Sequence, residues 1–211
     1  AAVRYQLDQG VSFSLSTALE VELAEYIVDL IPCAEMVRFG KNGSDVTTAA
    51  VRLARAATGR DLIAACGYHG WQDWYIGSTV RKKGVPKAVS DLTHFFPFND
   101  LDALESLLSS RPNEFAAVIM EPVGTQEPEP GYLDAVKVLT HKHGALLIFD
   151  EIITGFRVSL GGAQSLYNVK PDLACFGKAM ANGLPLSAIA GSAQIMSGFE
   201  EVFFSGTFGG E

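Results

Sequence analysis

Ala116-Ala-Val-Ile-Met120 and Ala145-Leu-Leu-Ile-Phe149 are apolar at every position. A strand with one wet face alternates; a strand that does not alternate is covered on both faces. Leu62-Ile-Ala-Ala-Cys66 repeats the pattern, further strands are predicted at 173–176 and 187–191, and Met36-Val-Arg-Phe39 is a short one. Helical patterns lie between these runs. Thr17-x-x-Glu20 is a capping box that opens a helix with Leu19, Leu23, Ile27 and Leu30 on one face, and Pro32 follows its end. Gly43-Ser44 starts a helix with Val46, Ala50, Leu53 and Ala57 at its apolar positions, closed by Gly59. Asp100 caps a helix through Leu101, Leu104, Leu107 and Leu108, and another runs roughly from Tyr132 to His143 and ends at Gly144. Residues 67 to 99 read as irregular. The opening Ala1–Leu7 reads as the middle of a helix, and the end at Gly209-Gly-Glu211 has no closing element, so a fragment is expected. Strands that alternate with helices predict an α/β fold: a mainly parallel sheet with helices on both faces.

The 211 residues are 48% hydrophobic, enough for one sizeable core. A net charge of -8 argues against nucleic acid as a main partner, and Arg81-Lys-Lys83 reads as a solvated loop. No apolar run approaches the ~20 residues that span a bilayer, and the first residues do not have the pattern of a signal peptide. Cys33, Cys66 and Cys175 are odd in number, far apart and in apolar surroundings. They are expected to be reduced, buried thiols of a cytoplasmic protein. His141 and His143 flank Lys142, a spacing that diverges on a helix. No metal site is expected there; they read as the solvated end of a helix.

In parallel sheets, ligands bind beyond the carboxyl ends of the strands. Glu121, Asp150 and Lys178 each follow a predicted strand, so the topology gathers them in one crevice. An acid and an amine at the ends of buried strands are costly to desolvate unless something uses them. Pyridoxal 5′-phosphate (PLP) needs this pair: a lysine for the Schiff base, and an acid that keeps the pyridine nitrogen protonated. A lysine in apolar surroundings holds its proton less tightly, which frees the lone pair for carbonyl attack. The alternative is a lysine whose stem packs on the core while its amine reaches water. Glu151 points away from Asp150 if the strand continues, and reads as a structural acid. Asn42-Gly-Ser-Asp45 is either an anion site at a helix start or a plain serine cap. Tyr68 either stacks on a flat heteroaromatic ring or is an ordinary packed aromatic. Ile152 falls on the side of Asp150 and could pack on the opposite ring face. Ser205-Gly-Thr207 is a second small-residue phosphate candidate.

Phe149-Asp-Glu-Ile-Ile-Thr-Gly-Phe-Arg157, Leu160-Gly-Gly-Ala-Gln164, Lys170-Pro-Asp-Leu173 and Gly177-Lys178 together resemble the class III aminotransferases of PLP fold type I. They are most similar to the glutamate-1-semialdehyde 2,1-aminomutase branch, as are Glu35-Met-Val-Arg-Phe39 and Arg52-Leu-Ala-Arg55. The resemblance runs over essentially the whole chain. It implies a three-layer α/β domain around a mainly parallel seven-stranded sheet, with both ends of the family's chain missing. Residues 1–34 would be an N-terminal helical segment and 35–211 the PLP-binding large domain, without the C-terminal small domain.

The resemblance also implies roles. Lys178 matches the Schiff-base lysine, Asp150 the pyridine-nitrogen acid and Ile152 the aliphatic residue beneath the ring. Tyr68 matches the stacking aromatic, with His69 beside it. Gly43 and Ser44 match the phosphate turn, and Glu121 the acid of a Glu-Pro-Val motif. Gln126 stands where a residue bonds the cofactor's phenolic oxygen. Thr207 matches a threonine that reaches the phosphate of the neighbouring subunit, which implies a homodimer. Gly124–Pro130 and Tyr75–Val85 are shorter than in the aminomutases, and Ala181-Asn182-Gly183 replaces a run of glycines. The last two departures favour a transaminase, with a small-molecule amino donor and a carbonyl acceptor, over the mutase. A catalytically silent PLP-fold binding protein is the alternative from another class.

Overall fold

The computed structural model describes residues 1–13 and 15–209; the expectation of an open end at Gly210-Glu211 lies outside the described residues. Seven strands form one sheet: β1 (Met36–Gly40), β2 (Leu62–Cys66), β3 (Thr93–Phe95), β4 (Phe115–Met120), β5 (Leu146–Asp150), β6 (Leu173–Phe176) and β7 (Ser187–Gly191). Their spatial order is β1-β7-β6-β5-β4-β2-β3. β2 to β6 pair in parallel, while β7 is antiparallel to both β6 and β1. Two reversals restore direction. The carboxyl ends of β1, β2, β4, β5 and β6 therefore open on one edge of the sheet.

The helices are α1 (Ala2–Gln9), α2 (Ala18–Leu30), α3 (Gly43–Thr58), α4 (Asp73–Ile76), α5 (Lys87–Ser90), α6 (Leu101–Ser110), α7 (Tyr132–Lys142), α8 (Gly162–Leu166) and α9 (Ala193–Met196). Alternate strand residues face opposite layers, as the pleat requires. Ile63, Ala65, Ile119, Ile148 and Cys175 pack under α3 with Val46, Ala50 and Leu53. Leu62, Val118, Leu147 and Phe149 pack against α6 and α7. Ala174 and Phe176 meet Ile27 and Ile31 at α2. The three layers match the fold expected from the apolar runs. Among the described residues, no helix is long and apolar enough to cross a membrane.

Local signals behave as their chemistry predicts. Thr17 and Glu20 form the capping box of α2. Asp100 accepts the Ala103 N–H at 2.8 Å, and Gly59 closes α3 in the left-handed conformation. Leu19, expected on the buried face of α2, is exposed, and so is Ala57 at the end of α3. The stretch 67–99 is not irregular throughout: it holds α4, α5 and β3. β3 is three residues long and pairs only with β2 at the sheet edge, so it carries no period to read. His141 is tied down rather than merely solvated, its Nε2 lying 2.8 Å from Asp172 Oδ2.

Glu151 is fully buried and structural, as expected. Its carboxylate accepts from Thr154 Oγ1 at 2.7 Å and from Gln164 N and Nε2 at 3.1 and 3.0 Å, and also from Ala163 N. A charged acceptor with that many donors at the start of α8 offsets its own desolvation. Cys33, Cys66 and Cys175 are buried and unbridged. Burial pushes the Cys33 and Cys66 thiols up to about 12 and raises Cys175 as well. None should react with a disulfide reagent in the folded chain at about pH 8, where the thiolate fraction is negligible. All three should react after denaturation. Fast labelling of any one without unfolding would contradict this burial.

Candidate active site

Strand register sets the level at which each functional residue emerges. Cys66 pairs with Met120, Met120 with Phe149, and Asp150 with Cys175. Gly67, Glu121 and Asp150 thus leave the sheet side by side. Asp150 shares the parity of Ile148, so it faces the α3 layer, where α3 begins at Gly43 directly beyond β1.

A cavity of about 510 Å3 opens there. It is lined by Asp150, Lys178, Tyr68, His69, Glu121 and Ile152, and by Gly43 and Ser44 from the start of α3. Eight of the ten residues singled out in the sequence meet in this one space. Two clefts elsewhere are larger, about 670 and 930 Å3, and neither is lined by a lysine.

The other two residues lie elsewhere. Gln126 lines a neighbouring cavity of about 330 Å3 with Cys66, Phe96, Phe98 and Thr125. It sits in the Gly124–Pro130 loop and does not line the main cavity, although Glu121 lines both. Thr207 is exposed in a terminal turn and does not line the main cavity.

Asp150 is buried, at 4% exposure, with both carboxylate oxygens engaged. Oδ2 lies 2.8 Å from His69 Nδ1, and Oδ1 accepts the Ile152 N–H at 3.2 Å. The His69 ring is itself buried and stacks near Trp74, with centroids 6.3 Å apart. The sequence marked His69 only as a neighbour of Tyr68; its bond to Asp150 spans 81 residues and leaves no local signal.

Lys178 differs from expectation in one respect. It lines the cavity but is exposed, not desolvated. β6 ends at Phe176, and Gly177 carries the chain out of the sheet before a 3-10 turn over Lys178–Ala181. Lys178 has φ of 43°, the left-handed region. For a residue with a Cβ this costs about 1–2 kcal/mol, and such outliers concentrate at functional sites.

The segment Gly67–Trp71 forms one wall and is fixed by three hydrogen bonds from two helices, α3 and α4. Tyr75 Oη donates to Gly67 O at 2.8 Å. Thr47 of α3 donates to His69 O at 2.9 Å. The Trp71 N–H donates to Ser44 Oγ at 3.3 Å. Gly70 sits at φ 104°, and a Cβ there would meet Ser44. A Cβ on Gly43 would likewise meet Ile152 Cδ1 at 2.5 Å. Thr47, Gly70, Trp71 and Tyr75 escaped the sequence reading, because each is an ordinary helix or loop residue until the fold brings its partner close.

These features fit pyridoxal phosphate. The cavity has the size of a small-cofactor pocket. It offers an amine, a buried acid held by two donors, and an aromatic and an aliphatic side chain. The first turn of the 16-residue α3, with Gly43 and Ser44, faces it and turns the positive end of the helix dipole toward a phosphate.

A model of the family aminotransferase class-III matches residues 1–211. The chain belongs to that family. It is 43% identical to a 3-aminobutyryl-CoA aminotransferase of Cloacimonas acidaminovorans, over 99% of this chain and 51% of the relative. It is 46% identical to a glutamate-1-semialdehyde 2,1-aminomutase of Roseiflexus castenholzii, over 93% of this chain and 49% of the relative. A transaminase solved with PLP bound superposes with a TM-score of 0.93 at 30% identity, covering 99% of this chain and 54% of that one. This class-III chain thus spans about half the length of the curated relatives it matches.

Proposed function

We infer that this chain is the cofactor-binding part of a PLP-dependent transaminase, which moves an amino group from an amino donor to a keto or aldehyde acceptor. The observation that carries the reading is the shared cavity of Asp150 and Lys178, 28 positions apart in sequence. When bound, PLP supplies an aldehyde for the lysine amine and a ring that accepts electrons released at the substrate's amino-bearing carbon.

The chain's residues then divide the work. Lys178 Nζ would hold the cofactor covalently and, once displaced by the donor, take the proton from the donor's amino-bearing carbon. Asp150, kept in place by His69 and the Ile152 N–H, would keep the pyridine nitrogen protonated. Tyr68 and Ile152 would pack on the ring, and Gly43 and Ser44 would receive the phosphate at the start of α3. Residues 35–211 make up the PLP-binding large domain in this reading, with 1–34 as a helical lead-in. Thr207, exposed and outside the main cavity, supports a homodimer in which it reaches the neighbour's phosphate. Three unbridged thiols support a reducing, cytoplasmic setting.

The aminomutase is the second reading, favoured by the 46% identity to one such enzyme. The two separate in one assay. The complete protein, loaded with PLP, is given an amino donor with a panel of keto acids and aldehydes, and glutamate 1-semialdehyde alone. Donor-dependent amination of a carbonyl acceptor supports the transaminase. Conversion of the semialdehyde without any donor supports the mutase. A loaded protein that does neither defeats both and leaves a silent binding protein.

A further inference from the structure

Glu121 stands one residue past β4 and lines both neighbouring cavities, the one with Lys178 and the one with Gln126. Tyr68 lines only the first of these and Gly67 only the second. The peptide that joins Gly67 to Tyr68 is therefore the partition between them. Glu121 Oε2 accepts the N–H of that peptide at 2.9 Å.

Gly67 is matched to this carboxylate. It sits at φ 104°, and a Cβ there would run into Glu121 Oε2. Only glycine combines that backbone angle with so close an approach. From the other side, Tyr75 Oη donates to Gly67 O at 2.8 Å, and the Tyr75 ring meets the Tyr68 ring edge to face at 5.6 Å. Glu121 and Tyr75 thus grip successive backbone groups immediately before the Tyr68 ring.

We propose that Glu121 is a positioning residue that acts through the Tyr68 backbone: its carboxylate sets the turn that presents the Tyr68 ring to the cofactor, and closes the main cavity from its neighbour. It does this as a hydrogen-bond acceptor, not as a ligand of cofactor or substrate. The proposal rests on the PLP reading for what Tyr68 packs on, but the clamp itself is a property of the cofactor-free chain.

The test uses the complete protein with Glu121→Ala, Glu121→Gln and Tyr68→Ala, singly and combined. Amide hydrogen exchange at Tyr68 is measured without cofactor, and the PLP dissociation constant by titration. Glu121→Ala should speed Tyr68 exchange and weaken PLP binding, each by roughly tenfold, the worth of one charge-assisted hydrogen bond. Glu121→Gln keeps an acceptor oxygen and should restore both to within about threefold. In the Tyr68→Ala background, Glu121→Ala should weaken PLP binding no further, because residues that act as a unit are not additive.

Unchanged Tyr68 exchange in Glu121→Ala overturns the proposal, as does a glutamine variant as impaired as the alanine one. Additive losses in PLP binding overturn it too, because Glu121 would then act without Tyr68. A parent protein that takes up no PLP defeats the functional reading and this one together. A parent that takes it up, with Glu121→Ala unchanged, defeats this one alone.

Discussion

Lys178→Ala should abolish covalent retention of pyridoxal phosphate and lower transamination by roughly 10²- to 10⁴-fold or more. Two functions leave with one amine. On the proposed function, the nitrogen that would bond the cofactor is lost, and so is the base at the donor's amino-bearing carbon. The fold should survive, because Lys178 is exposed and sits in a surface turn rather than in the sheet. The unfolding midpoint in urea should therefore stay close to the parent's. Borohydride reduction of the loaded parent, followed by peptide mapping, should place the reduced cofactor on the peptide that contains Lys178. Reduced cofactor on another lysine, or undiminished turnover in the alanine variant, would remove Lys178 from the mechanism.

The left-handed conformation of Lys178 bears on this result. A glycine there would relieve the strain of about 1–2 kcal/mol. A lysine is kept at a position where its side chain lines the cavity. This is the pattern expected when local stability yields to placement of a reacting group.

Asp150→Ala should cost both stability and activity. It leaves a buried His69 Nδ1 and a half-buried Ile152 N–H without their partner, and about 3 kcal/mol of stability should go. Asp150→Asn keeps the size and one acceptor, so it should lose less stability. Both variants lack the negative charge that the proposed function sets opposite the pyridine nitrogen, and on that reading both should lose activity by roughly 10²-fold or more. Urea unfolding of the cofactor-free protein and turnover of the loaded one separate the two effects. An asparagine variant with parental turnover would show that Asp150 holds the turn and does nothing for the ring.

Much of the framework was legible locally. Runs such as Ala116–Met120 cannot be amphipathic, so they had to be central strands, and their spacing left room only for covering helices. Caps such as Thr17–Glu20 and Asp100 act within one turn of chain and were readable for the same reason. β3 was not, since three residues at an edge have no period. Asp150 and Lys178 stood out because each breaks an apolar neighbourhood with a charge that is costly to bury. His69 gave no such sign.

Sequence alone thus determined the layers, the central strands, the acid–amine pair and the family to which the chain belongs. The layers and strands rest on short-range chemistry, periodicity and capping; the pair rests on charges set at the ends of apolar runs, and the family on the resemblance of its motifs. Tertiary structure alone decided that Lys178 is exposed while Asp150 is buried, that His69 holds Asp150, that Glu121 grips Tyr68, and that Gln126 turns into a separate cavity. Those outcomes depend on strand register and on contacts between residues tens of positions apart, which no local pattern encodes.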